Sequence, residues 1–449
     1  MPSFKLVNLK GDLFATAFCF GAQAVIKLGS SLILTRILNP EAYGIIAIIV
    51  SIAFVVELIG DINVTLFIVR DNNGEQPRYL NTARTMNLAR GALNTTILFL
   101  LAPFISTSLY DLPALTIPLR VFSLTFVISA LQTMAFPVAI RRKRARIIMY
   151  SELAATAVST VFSLVYCYYS RDFWGIVFGM LLSRLTMTVL SYQFYPELRP
   201  KLHFDWAAAR DILGFSKFVM PSSLLTIAIS QFDKIVFLRL FDLNLLGVYG
   251  LAGNIAGPIE ALISKISQSV LYPRCAHNFR ANRETFALMY YTENVKLFFS
   301  ILILPAAVGG AAQLVIAVLY PSRYAEAGAI LQAFMVRAAL LSLASPAEDL
   351  LIATGEYQVG LYGNVFRAIW VCAGSLGGYY LFGFMGFVYG AALSGLPPLL
   401  YYVWLQRKKG MLIAKYEAYK LAFVLVVALS SYVTSTVIAA LWPTLGIRS

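Results

Sequence analysis

The chain has 449 residues, of which 59% are hydrophobic and 13% charged, with a mean hydropathy of +0.73. A soluble protein carries about twice that charge, and no polar stretch exceeds about twenty-five residues, which excludes a large soluble domain. The formal net charge of +14 needs no nucleic acid, because basic residues crowd the cytoplasmic loops of polytopic membrane proteins.

A hydrocarbon core of ~30 Å asks for about twenty apolar residues per helix. The chain opens with Lys5 and Lys10 before an apolar run at 12–35. That run is too long for a signal peptide and no small-residue cleavage site closes it, so it is the first membrane helix. A short break containing Asn39-Pro40 leads into the second helix, 43–69. Further helices are predicted at 84–107, 115–137, 147–168 and 173–194, completing six. The longest connection, 195–213, contains "HFDW". Seven more helices follow at 214–240, 245–272, 291–319, 326–352, 359–382, 385–406 and 417–441. Alternate connections are strongly basic: Arg70, Arg78 and Arg84, then "RRKRAR" at 141–146, then Arg199, Lys201 and Arg210, then Arg274, Arg280 and Arg283, then "RKK" at 407–409. The positive-inside rule makes that set cytoplasmic, with the N-terminus inside and, for thirteen helices, the C-terminus outside.

The same turn is written twice. A shift of 203 lays 11–70 on 214–273 without a gap, so that Arg36 falls on Arg239, Gly44 on Gly247 and Glu57 on Glu260. Polar residues recur at helical spacing at Thr16, Gln23, Lys27, Ser30 and Ser31, and again at Ser222, Thr226, Ser230, Asp233 and Lys234. Ser51, Glu57, Asp61 and Thr65 of helix two match Asn254, Glu260, Ser264 and Gln268 of helix eight. Hydrocarbon cannot satisfy such stripes, so they face protein or water. The repeat holds an even number of helices, which predicts two parallel lobes related by an axis along the membrane normal. The expected division is an N-terminal lobe at 1–195, a cytoplasmic linker at 196–213, a C-terminal lobe at 214–410 and an extra helix within 411–449.

"ILTRILNPEAYGIIAI", "NTARTMNLARG" at 81–91 and "AFPVAIRRKRARIIMYSE" at 135–152 resemble the polysaccharide transporter family, as do "LGVYGLAGNIAGPIEALI" and "VLYPRCAHN". That family holds Wzx-like flippases and exopolysaccharide exporters. It belongs to the multidrug/oligosaccharidyl-lipid/polysaccharide superfamily. The resemblance spans about residues 5–410. It implies an all-α polytopic fold of 12–14 helices, with helices one, two, seven and eight around a central cavity. It also implies transfer of undecaprenyl-diphosphate-linked oligosaccharide across the bacterial inner membrane, without a cofactor. Its partners would be the lipid-linked substrate, membrane lipids and the polymerase or export machinery.

Charges at the bilayer centre are costly, roughly 2.5–3.5 kcal/mol on insertion scales. Lys27, Glu57, Arg184, Glu260 and Arg337 fall mid-helix, with Asp233, Lys234 and Lys265 somewhat off centre. Lys27, Arg184, Lys234, Lys265 and Arg337 form the expected cationic, substrate-binding set, since arginine suits phosphate oxygens. Glu57, Asp61, Asp233 and Glu260 are the candidates for ion coupling or gating. The competing reading pairs the two sets into helix-pinning salt bridges. Arg90, Arg120, Glu152, Glu293, Lys296, Glu348, Asp349 and Arg367 lie nearer helix ends, where snorkelling relieves the cost. Gly257-Pro258 reads as a hinge, and the glycines from Gly374 to Gly395 as close helix packing. Cys19, Cys167, Cys275 and Cys372 show no disulfide or metal spacing and read as packing residues.

No GxxxxGK[ST] loop supports an ATP-driven pump. A membrane polymerase or ligase needs catalytic groups on a substantial external loop, and the external connections are short. A multidrug extruder for organic cations favours an acidic, aromatic cavity, whereas the central residues here lean basic. A lipid II flippase has the nearest chemistry among the alternatives.

Overall fold

The computed structural model describes residues 9–71, 73–142, 144–195, 201–281, 285–356 and 358–441. Lys5, and the side chains of Lys10, Thr16, Ser222, Gln268, Arg280 and Arg283, lie outside the described residues. Every regular element among the described residues is helical. Among the described residues ten helices are long and apolar enough to cross a membrane, eleven if the bent pair Phe286–Glu293 and Val295–Gly310 is one span. Each of the thirteen predicted spans falls on helix. The protein is a multi-pass α-helical membrane protein.

The chain divides into two compact units, Met1–Ile227 and Ala228–Ser449. The first contains α1 (Leu9–Ile37), α2 (Pro40–Ile59), α3 (Val64–Arg70), α4 (Pro77–Phe104), α5 (Thr116–Ala130), α6 (Ala135–Arg141), α7 (Ala145–Ser170) and α8 (Trp174–Gln193). The boundary between units falls inside α9 (Trp206–Leu240). The second contains α10 (Leu243–Ile266), α11 (Tyr272–Ala281), α12 (Phe286–Glu293), α13 (Val295–Gly310), α14 (Ala312–Leu319), α15 (Ala327–Ala353), α16 (Val359–Ala392), α17 (Leu396–Lys408) and α18 (Ala414–Leu441).

The repeated turn is a matched pair of helix starts. Asn39 holds extended backbone before Pro40, the first residue of α2. Asp242, its partner at the 203 shift, caps α10 by accepting from Leu245 N at 2.8 Å. Both residue types favour the cap position because a side-chain oxygen satisfies an orphan N–H. Arg36 and Arg239 occupy the last turns of α1 and α9, where a cation complements the helix dipole.

Two irregularities depart from the sequence expectation. The predicted span 43–69 is broken at 60–63, where Asn63 adopts the left-handed region with φ 51°. The Asp61 carboxylate holds the break, accepting from Asn63 N at 3.0 Å and from Arg90 Nη1 at 2.9 Å. By contrast α10 runs through Gly257-Pro258 unbroken. Its irregularity comes a turn later, as a π-helical segment at Ser267–Leu271. That position overlays α3 at the 203 shift.

The glycines after Gly374 do pack closely. Gly383 (φ 65°, ψ −143°) breaks α16 in two. Its arms then touch backbone to backbone, for a Cβ on Gly378 would come within 2.1 Å of Gly386 O, and one on Gly390 within 2.1 Å of Gly374 O. The 50-residue helical stretch Val359–Lys408 is therefore a hairpin, which fits the two spans predicted there. The returning arm lays Phe384 and Phe387 edge-on against Phe237 of α9.

The segment before α9 is clamped to the start of α4. Arg78 engages both oxygens of Asp205, at 2.7 and 3.1 Å, and Tyr79 donates to Asp211 at 2.9 Å. Asp205 also caps α9, accepting from Ala207 N and Ala208 N. The Ala208 amide first, and then Arg78, hold the Asp205 carboxyl below the usual carboxylate range. A lowered folded-state value stabilises the clamp above the unfolded value of ~4 and loses that contribution as pH falls through the folded value. Asp205→Ala is expected to accelerate amide exchange at Ala207 and Ala208 several-fold at neutral pH. Acidification should bring wild type toward the variant, and equal exchange at neutral pH would discount the clamp.

The four cysteines are free, and Cys19, Cys167 and Cys275 are buried. Burial, and secondarily Asp349, push the Cys275 thiol up to about 12, so it stays protonated and packs as an apolar group.

Candidate functional site

In the first unit, Glu57 lies near the end of α2 and Arg184 on α8. Their closest atoms stand 3.8 Å apart, with side chains 39% and 48% exposed. This is an open, solvated pair. One turn on, Asp61 closes on Arg90 of α4. Gly60 makes room beside them for the buried Asn94, whose Oδ1 would sit 2.6 Å from a Cβ at that position. Lys27 is exposed on α1 and makes no ion pair among the described residues.

In the second unit the equivalent glutamate is held far more tightly. Glu260 Oε1 accepts from Arg337 Nε at 2.8 Å, with both side chains about one-fifth exposed (20% and 19%). The guanidinium also lies over the Phe334 ring, 4.4 Å from its centroid. Phe334 meets Tyr249 edge-on at 4.9 Å, and the Tyr249 hydroxyl donates to the buried Asp233. Glu260, Arg337, Phe334, Tyr249 and Asp233 therefore form one connected polar and aromatic cluster. Lys234 Nζ reaches Gln231 Oε1 at 3.5 Å, and Lys265 sits half-buried in the last turn of α10.

The structure thus joins Glu57 with Arg184, and Glu260 and Asp233 with Arg337. Among the described residues Lys27 stands apart from these pairs. Asp61 binds Arg90, which the sequence places near a helix end, because the break at 60–63 turns its carboxylate toward α4. Among the described residues no three His, Cys, Asp or Glu side chains converge.

A second polar group was not legible as a site. Asp349 belongs to it. It is 9% exposed and accepts a hydrogen bond from Ser267 Oγ at the start of the π-helical segment. Its neighbour Glu348 shares a cavity of about 40 Å³ with Arg337, Ser345, Asn364, Arg367 and Tyr402. The available signal was a pair of adjacent acids followed by Gly360 and Gly363 on the next helix. At i and i+3 those glycines open one helix face.

A family model described as polysaccharide biosynthesis protein matches residues 33–329. The chain is 22% identical over 340 residues to the succinoglycan biosynthesis transport protein ExoT of Rhizobium meliloti (strain 1021), covering 75% of this chain and 67% of that protein. The inward closed conformation of the lipid II flippase MurJ superposes with a TM-score of 0.72 at 11% identity, over 95% of this chain and 92% of that one. An inward-facing multidrug resistance MATE family transporter of the MOP superfamily gives 0.69 at 15% identity, over 86% and 94%. These two likenesses establish the fold.

Proposed function

The chain belongs to the polysaccharide biosynthesis protein family, and from that premise we propose that it is a non-enzymatic transporter of lipid-linked saccharide. In this reading it carries undecaprenyl-diphosphate-linked oligosaccharide across the bacterial inner membrane by alternating access. ExoT, a relative named for transport in succinoglycan biosynthesis, supports a place in exopolysaccharide export. The basic loops support a cytoplasmic N-terminus. In this reading the chain forms lobes at 1–195 and 214–410, joined by a cytoplasmic linker at 196–213 and followed by an extra helix within 411–449.

The observation that carries the substrate class is the arginine content of the spans. Arg184 and Arg337 lie within candidate membrane helices, each against one glutamate. Two oxygens of one phosphate group can accept from a guanidinium together, as the two oxygens of a carboxylate do. The substrate diphosphate would replace Glu57 and Glu260 at these arginines, with Lys27, Lys234 and Lys265 as further cations. An extruder of organic cations favours an acidic, aromatic cavity instead.

The test is leaflet exchange of a fluorescent polyprenyl-diphosphate oligosaccharide in proteoliposomes. Wild type should move it, and Arg184→Ala and Arg337→Ala should slow it at least tenfold. Export of a cationic dye with no movement of this lipid would refute the reading. Full exchange in both variants would remove only the arginines from it.

A further inference from the structure

Glu348 and Arg367 face one small cavity in the second unit, and neither forms an ion pair within 4.0 Å among the described residues. The cavity of about 40 Å³ has room for about three waters, at roughly 10–15 Å³ each. Its wall is shaped around these groups. A Cβ on Gly360 would come within 2.6 Å of Glu348 Oε1, and one on Gly363 within 1.9 Å of Tyr402 Oη. Arg367 Nε is shut from solvent and has no hydrogen-bond partner. A guanidinium within a membrane helix is costly without a counter-charge, so Arg367 is poised to take one.

Two acids could supply it. Asp349 is already engaged by Ser267. Arg337 shares the wall but is neutralised by Glu260. The groups facing Glu348 are therefore Tyr402 from α17, Arg367 from α16, and Arg337 and Asp349 from α15, with Glu260 of α10 behind Arg337.

We propose that Glu348 is a proton-binding residue whose charge decides whether Arg367 is open to an anionic ligand. When Glu348 is ionised, the two opposite charges close on each other across the hydrated gap. A proton on the carboxyl removes that competitor, and Arg367 takes a phosphate-type oxygen instead. Proton and anion then bind together, and by linkage each strengthens the other. The inference rests on the reading that the ligand is a phosphorylated lipid headgroup.

The test titrates the purified full-length protein with farnesyl diphosphate across the pH range in which it stays folded. Calorimetry in buffers of different ionisation enthalpy counts the protons taken up. Wild-type affinity should weaken by up to about tenfold per pH unit as Glu348 ionises, with proton uptake on binding. Glu348→Gln should bind at the tight limit across the range and take up fewer protons. Arg367→Gln should bind at least tenfold more weakly at every pH. The ligand's own phosphate titration is common to wild type and Glu348→Gln and cancels in the comparison. Equal pH dependence in those two proteins, with binding retained, overturns the proposal and leaves the substrate class standing. No binding by wild type at any pH overturns both.

Discussion

Gly386→Val is expected to abolish folded protein in the membrane, whereas Gly377→Ala should leave its yield and melting temperature unchanged. The two positions lie on opposite arms of one glycine-rich hairpin and differ in what a new side chain meets. A Cβ on Gly386 would stand 2.0 Å from Gly378 O, a backbone atom that cannot step aside. Its reciprocal at Gly378, and the Gly374–Gly390 contact a turn further along, show that the arms touch at the backbone. The Trp370 indole bonds across them to Gly390 O at 3.1 Å. Separating the arms forfeits the van der Waals packing that holds helices together where no hydrophobic force acts between them. The loss should exceed about 4 kcal/mol, the range reserved for broken cores. Nothing lies within 4 Å of a Cβ on Gly377. Size-exclusion profiles of the two variants decide the matter, and a monodisperse Gly386→Val peak at wild-type yield would refute the hairpin seam.

Arg337→Ala and Glu260→Ala should each destabilise the protein by about 3–5 kcal/mol, because each leaves its partner's charge buried and alone. The double variant should recover much of that loss, and the non-additivity is the diagnostic. The 2.8 Å contact, the low exposure of both side chains and the Phe334 ring beneath the guanidinium all limit the pair's contact with water. Arg184→Ala supplies the contrast. At 3.8 Å, with nearly half of each side chain exposed, its pair with Glu57 is worth about 0–1 kcal/mol. Thermal unfolding in detergent measures all four. Additive losses at 260 and 337 would show that the two residues stabilise independently.

Much of the architecture was legible because lipid enforces it. Apolar length, loop charge and a polar stripe leave few alternatives, so the helices and the 203 shift could be read directly. What escaped was where helices stop being regular. The break after Gly60 depends on Asp61 finding Arg90, a contact between residues 29 apart. Gly257-Pro258 carries the usual marks of a hinge, yet α10 absorbs it, and the distortion falls where Ser267 meets Asp349. The pairing of the central charges was legible as an alternative but not as geometry. Nothing in sequence spacing distinguishes a 2.8 Å contact from a 3.8 Å one. Glu348 and Arg367 escaped as a site for a related reason. Their place near helix ends is legible in the sequence, while their orientation into a walled cavity depends on glycines of a neighbouring helix.

The two glutamates in register at 57 and 260 are answered by arginines that are not. Arg184 lies on α8, the sixth predicted span, and Arg337 on α15, the tenth, so six spans on from Arg184 leads to the twelfth and not to the helix of Arg337. Each unit therefore meets the shared acid with a base from a different helix. The acid belongs to the repeat, and the lock around it is particular to each unit.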